Sequence, residues 1–413
     1  DFTLSDETAG DYTAVYLAPT LDKLSFTLNT DGETYSVKAL NTDIEGAVVI
    51  PSTYMGKKVT QIKDYAFEEC DYITSVVIPD SVINIGKGAF KYCYIKTISI
   101  PDSVTTIGEE AFNQCGKIGS ITIPDSVTSI GEYAFEFCSS LTSVTIGSSV
   151  TSIGEHAFSS CYKLVEVYNL SGLNITKGSE DNGDVGYYAL EIYTDINTPS
   201  KVKQNGDYLM YEDSLNSKYY LLEYIGTETE LTLPTTEYSY EIHENAFSGN
   251  TTITKVTIPN SATSIGGSAF CNCSRLTSIT IGSSVTSIEK SAFYSCSSLT
   301  DIIIPNSVTS IGNSVFEACS LTSVIIPDSV TSIEYGAFSA CGKLTSVIIG
   351  SGVTSIGAHA FGICSSLTSV TFKDPNDWWY ADNSSATSGT ELSSSELLNT
   401  STAATYLKST YYR

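Results

Sequence analysis

The chain has 413 residues, and its 46 acidic against 21 basic side chains leave a net charge of -25, which repels nucleic acid and anionic lipid head groups. Charged residues make up only 16% of the chain while Ser, Thr and Tyr abound, so the exposed surface is expected to be hydroxyl-bearing rather than ionic. No run of about 18 apolar residues occurs, which argues against membrane insertion.

In chain order, Asp1 is not followed by a charged-then-apolar leader, so a targeting segment is expected to have been removed or left out. Leu24 to Leu28 and Thr34 to Lys38 alternate around Asn29-Thr30-Asp31-Gly32, a hairpin signal, and residues 1–47 read as an N-terminal hairpin cap. Val48-Val49-Ile50-Pro51 opens a degenerate first coil. The dipeptide Ala-Phe, usually a few residues after Ile-Gly, then recurs at Phe67, Phe90, Phe112, Phe135 and Phe158, defining a first repeat block over 48–168. It returns at Phe247, Phe270, Phe293, Phe316 (after Val315), Phe338 and Phe361, a second block over 242–372. Spacings within each block are 22 or 23 residues, with one gap of 89. Residues 373–413, with Trp378, Trp379, Ala403, Ala404, Leu407 and Tyr411, read as a C-terminal cap.

The coil at 139–161 typifies the repeat. Leu141, Val144, Ile146, Val150, Ile153, Ala157, Phe158 and Cys161 are its small or apolar positions, with Ser, Thr, Gly and Glu between, so a core forms only when coils stack. Val144-Thr145-Ile146 suits a short parallel strand, Ser149 to Gly154 a turn and a second extended stretch, and Glu155 to Cys161 one or two helical turns. The run C-x-x-L-x-x-V-x-I-P-x-S-V-T-x-I-G-x-x-A-F, shown by residues 115–135 with Ile118 and Ile121 in place of Leu and Val, resembles the BspA-like leucine-rich repeats of bacterial and protozoan surface proteins. The resemblance implies a curved right-handed solenoid, an extracellular or cell-surface setting and adhesion to host proteins or other cells, and it carries over no catalytic residue. The fold expected is therefore an α/β repeat solenoid, a right-handed leucine-rich-repeat coil of short parallel strands and single helical turns with β-hairpin caps.

Within the gap, Val185-Gly186-Tyr187-Tyr188-Ala189-Leu190 mimics Ile-Gly-x-x-Ala-Phe, and Leu231-Thr232-Leu233-Pro234 mimics the strand with its proline. Residues 169–241 thus read as degenerate repeats carrying a β-hairpin island, Asp207 to Tyr211 and Lys218 to Tyr224, in one uninterrupted solenoid; a hinge between two arrays is the competing reading.

Ten of the eleven cysteines fall three residues after the repeat Phe, and Asn250 holds that place after Phe247. Interchange of Cys with Asn points to a buried corner where a small side chain satisfies backbone groups, so free thiols are expected. Disulfides are disfavoured because stacked Cβ vectors run parallel, although neighbouring Cα atoms lie within reach. Zinc is disfavoured because Cys271 and Cys273 have one residue between them and no nearby His. His156, His243 and His359 are read as solvated turn residues. Glu109 and Glu110 adjoin without an implied cleft, and Ser179-Glu180-Asp181-Asn182-Gly183-Asp184 has oxygen ligands for calcium but reads more simply as a solvated turn. No cofactor, metal site or enzymatic motif is expected.

The middle residue of each strand should face outward on the concave sheet: Val49, Val77, Ser99, Thr122, Thr145 and Tyr168, then Thr257, Thr280, Ile303, Ile325, Ile348 and Thr371. Ile303, Ile325 and Ile348 would form an apolar stripe with Asp301, Thr280 and Thr371 beside it, a candidate ligand-binding surface. The blander account is that Ile suits a two-sided sheet. The function expected is non-enzymatic recognition or adhesion, by a monomer that binds an extracellular protein or glycan. The alternative is a structural cell-envelope spacer without a specific ligand. A catalytic domain hidden in 169–241 would have neither His nor Cys to work with.

Overall fold

The computed structural model describes residues 20–380 and 390–408, so Asp1 and Tyr411 lie outside the described residues. The chain divides into two compact units, Asp1–Pro199 and Ser200–Arg413. Each is a right-handed β-solenoid of short parallel strands.

In the first unit, Leu24–Leu28 pairs antiparallel with Thr34–Ala39, which pairs parallel with Lys57–Ile62. From there the two-residue strands Asn84–Ile85, Thr106–Ile107, Ser129–Ile130 and Ser152–Ile153 follow one per coil. On another side of the coil run Gly46–Val49, Ile73–Val77 and Thr97–Ser99, and then Ser120–Ile123, Ser143–Ile146, Glu166–Asn169 and Glu191–Tyr193. Register places like on like, Ile121 beside Val144 beside Val167. A shift of one residue would turn every buried side chain outward, and this fixes the pairing. Val185 and Ala189 are buried, so the Ile-Gly-x-x-Ala-Phe mimic packs as a coil.

The second unit opens with an antiparallel meander, Val202–Asn205, Tyr208–Asp213 and Lys218–Tyr224. Its last strand pairs parallel with Tyr240–Ile242, so the hairpin forms the first rungs of a sheet that continues through Ala262–Ile265, Ser287–Ile288, Ser310–Ile311, Ser332–Ile333 and Ser355–Ile356. The far end carries helices Ser394–Leu398 and Thr400–Lys408, the first opened by a reciprocal Ser393–Glu396 capping box. Their Leu397, Ala403 and Ala404 join the core, together with Trp378, whose Nε1 donates to the Asp374 carbonyl at 2.9 Å.

Between strands, the segment expected as helical turns is present only in minimal form. Around Phe158 the bonds span three residues, as in Ser159 N to His156 O at 3.1 Å and Cys161 N to Phe158 O at 3.2 Å. The helix goes no further, because His156 (φ 54°) and Ser160 (φ 57°) are left-handed. Left-handed residues stand at the same two places in other coils, Tyr133 and Phe137 among them. This geometry turns alternate N–H groups toward the next coil: Tyr133, Phe135 and Phe137 donate to the carbonyls of Glu155, Ala157 and Ser159 at 2.7–3.0 Å. A third ladder results, and it satisfies turn amides that would otherwise be buried unpaired. Inside it the Phe rings stack, for instance Phe90 on Phe112 at 5.3 Å and Phe293 on Phe316 at 5.4 Å.

Candidate functional site

The outward face of the second unit's strand sheet is built by alternation. Ile302 and Ile304, Val324 and Ile326, and Val347 and Ile349 are buried, and the residue between each pair points out. Ile303 is 82% exposed, Ile325 58% exposed and Ile348 half-buried. Ile325 pairs with Ile348, and Ile348 with Thr371, which is exposed, as is Thr280 one coil before Ile303. Asp301 is exposed, and its carboxylate accepts the Thr300 hydroxyl at 3.1 Å. Burying one Ile side chain completely is worth roughly 1.5–3 kcal/mol, so exposing two of them forgoes a comparable amount.

The sheet is discontinuous at this place. Ser278–Thr280 ends one three-stranded sheet and Ser323–Ile325 begins another. Asp301 to Ile304 lie between them without strand pairing, and among the described residues their backbone groups make no backbone hydrogen bond. The first unit breaks similarly between Thr97–Ser99 and Ser120–Ile123. Each break adjoins a coil whose corner is one residue short, Cys93-Tyr94-Ile95 and Cys319-Ser320-Leu321 where the repeat has C-x-x-L.

In the first unit the equivalent outward positions carry no fully exposed aliphatic residue among those described. Ser99 and Thr122 are exposed, and Val49, Val77 and Thr145 are half-buried. Tyr168 is buried, with its hydroxyl donating to Thr198 O at 3.2 Å.

The remaining candidates have structural partners. All eleven cysteines are free thiols, ten of them buried and Cys271 half-buried. From Cys93 onward each ladder thiol donates to the Phe carbonyl of the coil before, as Cys115 does to Phe90 at 3.0 Å and Cys296 to Phe270 at 3.1 Å. The first coil of each unit has no such carbonyl behind it. There Cys70 turns to Glu68 O in its own turn, and Asn250 accepts from the amides of Thr252 and Ile253. Burial pushes the Cys115 thiol up to about 12, so it stays protonated and a poor nucleophile at neutral pH. Glu109 and Glu110 are paired with Lys87 and Lys91.

His156 is more than a solvated residue. Its Nδ1 lies 3.0 Å from Asp184 and its Nε2 3.5 Å from Glu155, and the hydrogen bond to Asp184 raises its pKa above the ordinary histidine range. In the loop 179–184 the Ser179 hydroxyl donates to Asp181 at 2.9 Å and Asn182 donates to Asn174 O at 3.0 Å, while Asp184 faces His156. Among the described residues no group of three or more His, Cys, Asp or Glu is placed to hold a metal ion, and no helix is long and apolar enough to cross a membrane.

The turn face went unread in sequence. Tyr133 packs against His156 at 5.5 Å, and its hydroxyl pKa is raised by burial and then by Glu155, Glu136, Glu132 and Glu109. The available signal was the residue before Ala-Phe, which is Gly at 88 and Asn at 245, two residues that tolerate the left-handed region.

The family model for the BspA type leucine-rich repeat region matches in 6 copies over residues 60–179, 218–344 and 331–405. No curated protein matches the chain. Among solved structures, a leucine-rich cell surface protein from Faecalibacterium prausnitzii is 25% identical, the match covering 89% of this chain and 96% of that one at a TM-score of 0.38. A leucine-rich repeat protein from Bacteroides ovatus is 28% identical over 85% of this chain and 94% of its own, with a TM-score of 0.34. One from Eubacterium ventriosum is 20% identical over 87% and 96%, with a TM-score of 0.43.

Proposed function

The chain belongs to the BspA-type leucine-rich repeat family, a non-enzymatic scaffold fold, and from that footing we propose that it is a cell-surface or secreted recognition protein that works as a monomer. It binds an extracellular protein or glycan on the second unit's strand face, at Ile303, Ile325 and Ile348 with Thr280, Thr371 and Asp301 around them. The observation that carries this reading is the exposure of Ile303 and Ile325, at 82% and 58%, in a chain whose other strand isoleucines are buried or half-buried. Exposed aliphatic patches of this kind mark interaction sites on soluble proteins. The extracellular setting rests on the family resemblance and the hydroxyl-rich surface.

The test is saturable binding of the purified chain to an immobilised panel of extracellular matrix proteins and glycans, beside a variant with Ile303, Ile325 and Ile348 all changed to Asp. Binding that the folded variant loses supports the strand face. Binding that the variant keeps moves recognition elsewhere on the solenoid, and no binding across the panel favours a structural spacer.

A further inference from the structure

Resting on the strand-face reading above, we infer that the occupant of this face is a polypeptide, an amphipathic helix with an aliphatic ridge flanked by basic residues, and not a glycan. Sugars are gripped by aromatic rings that stack on their C–H faces and by paired carboxylates or amides that take their hydroxyls. From Ser278 to Thr371 the outward strand positions hold Ser, Thr, Ile and the single carboxylate of Asp301, with no ring among them. A sugar has nothing to stack on there, whereas an aliphatic side chain has three isoleucines.

Spacing favours a helix over an extended strand. Neighbouring parallel strands lie about 4.8 Å apart, so Ile325 and Ile348 present a ridge of nearly that repeat. Residues three and four apart on a helix recur at about 5–6 Å, while same-face residues of a strand recur at about 6.8 Å and fall out of step after one contact. At Ile303 no ladder bond fixes the distance to either neighbour, so that rung is able to widen toward the helical repeat. Docking of an amphipathic helix by its apolar face is a recurrent mode of recognition, read out through anchors three and four residues apart.

Charge sets the flanks of the helix. The chain carries -25, and Asp301, beside Ile303, is the one formal charge among these outward positions. The carbonyls of Asp301 to Ile304, engaged in no backbone bond among the described residues, add acceptors next to it. Lys or Arg beside the partner's aliphatic ridge complements both, and an acidic helix is repelled.

The experiment uses the full chain and fluorescence anisotropy with a labelled Leu/Lys peptide of about 18 residues patterned as an amphipathic helix, its scrambled isomer, and the neutral sugars cellohexaose and maltoheptaose. The expected result is saturable binding of the patterned peptide, with the scramble weaker by about tenfold or more. A variant with Ile303→Ser and Ile325→Ser, shown by circular dichroism and thermal unfolding to be folded, should lose the preference, and Asp301→Asn should weaken binding by about two- to threefold. Equal binding of peptide and scramble, or binding kept by the double variant, overturns the inference. Sugar binding that the double variant loses, with the peptide unbound, overturns the helix and leaves the strand face standing. If no probe separates the chain from the variant, the helix is overturned and the matrix panel alone decides the strand-face reading.

Discussion

The two units have interiors of the same kind and differ outside. In each, Ile, Val, Phe and Cys stack coil on coil with nearly constant geometry, as Phe67–Phe90 and Phe338–Phe361 show with ring centroids 5.1 Å apart in both. The first unit puts Tyr65, Tyr133, Phe137 and several carboxylates on its turns, and its strand face carries half-buried Val49 and Val77 followed by the hydroxyls of Ser99, Thr122 and Thr145. The second has mostly Ser, Asn, Ala or Gly on its turns, and its isoleucines stand on the strand face. A repeat whose core is dictated by stacking is free only at its outward positions, so those positions are where one stack acquires a task that the other lacks.

The largest test of this comparison asks whether the interiors are equivalent. Phe112→Ala and Phe316→Ala each remove a fully buried, stacked ring and should each cost about 3–5 kcal/mol, read by denaturant unfolding with hydrogen exchange to locate the loss. Costs that differ by more than about 2 kcal/mol would show that the two cores are not interchangeable. Next is the glycine before the turn. A Cβ on Gly131 would lie 2.4 Å from Glu109 N and 2.5 Å from Gly108 C, both backbone atoms, whereas on Gly312 the nearest atom, Lys290 N, is 3.0 Å away. Gly131→Ala should therefore cost about 1–3 kcal/mol and Gly312→Ala clearly less, which fits a second unit that carries Glu289 and Glu334 at this position.

These tests also mark what was legible beforehand. The eight-position apolar pattern located the core, and the Cys-for-Asn interchange located the corner, because both depend on side-chain size and polarity that residue identity states directly. The turns read as one or two helical turns because Ala157, Phe158 and Cys161 have helical spacing, and they are present in minimal form. The left-handed residues at this place, such as Ser160 and Phe137, are types with little intrinsic leaning that way, and cross-coil hydrogen bonds impose the conformation. Alternation located the outward isoleucines. Their unequal exposure was hidden because it depends on the sheet opening beside a corner one residue short, a tertiary response to a small change in length.

Smaller effects follow from those turns. Ile363 is left-handed (φ 60°) and 79% exposed, so Ile363→Gly should stabilise the second unit by about 0.5 kcal/mol, the backbone relief slightly exceeding the added chain entropy. Phe137→Gly in the first unit (φ 57°) should gain less, because more than half of that residue is covered. The smallest effect is electrostatic. Because Asp184 raises the His156 pKa in the folded state, the pair's contribution is complete below the unfolded value of about 6.5 and is lost as pH rises through the folded one. The unfolding midpoint of His156→Gln, relative to the parent chain, should accordingly fall further at pH 5.5 than at pH 8, whereas His359→Gln, at a turn histidine packed edge-on against Tyr335, serves as the reference.

The thiol ladder has a direction, since each sulfur leans back on the coil before it and only the first coil needs a different solution. As far as this ladder is concerned, any interior coil can therefore follow any other. Unequal crossing-over within the gene would lengthen or shorten either stack by whole turns while preserving its bonding. Such a protein can change its reach during descent, in steps of 22 or 23 residues, without first having to solve its folding again.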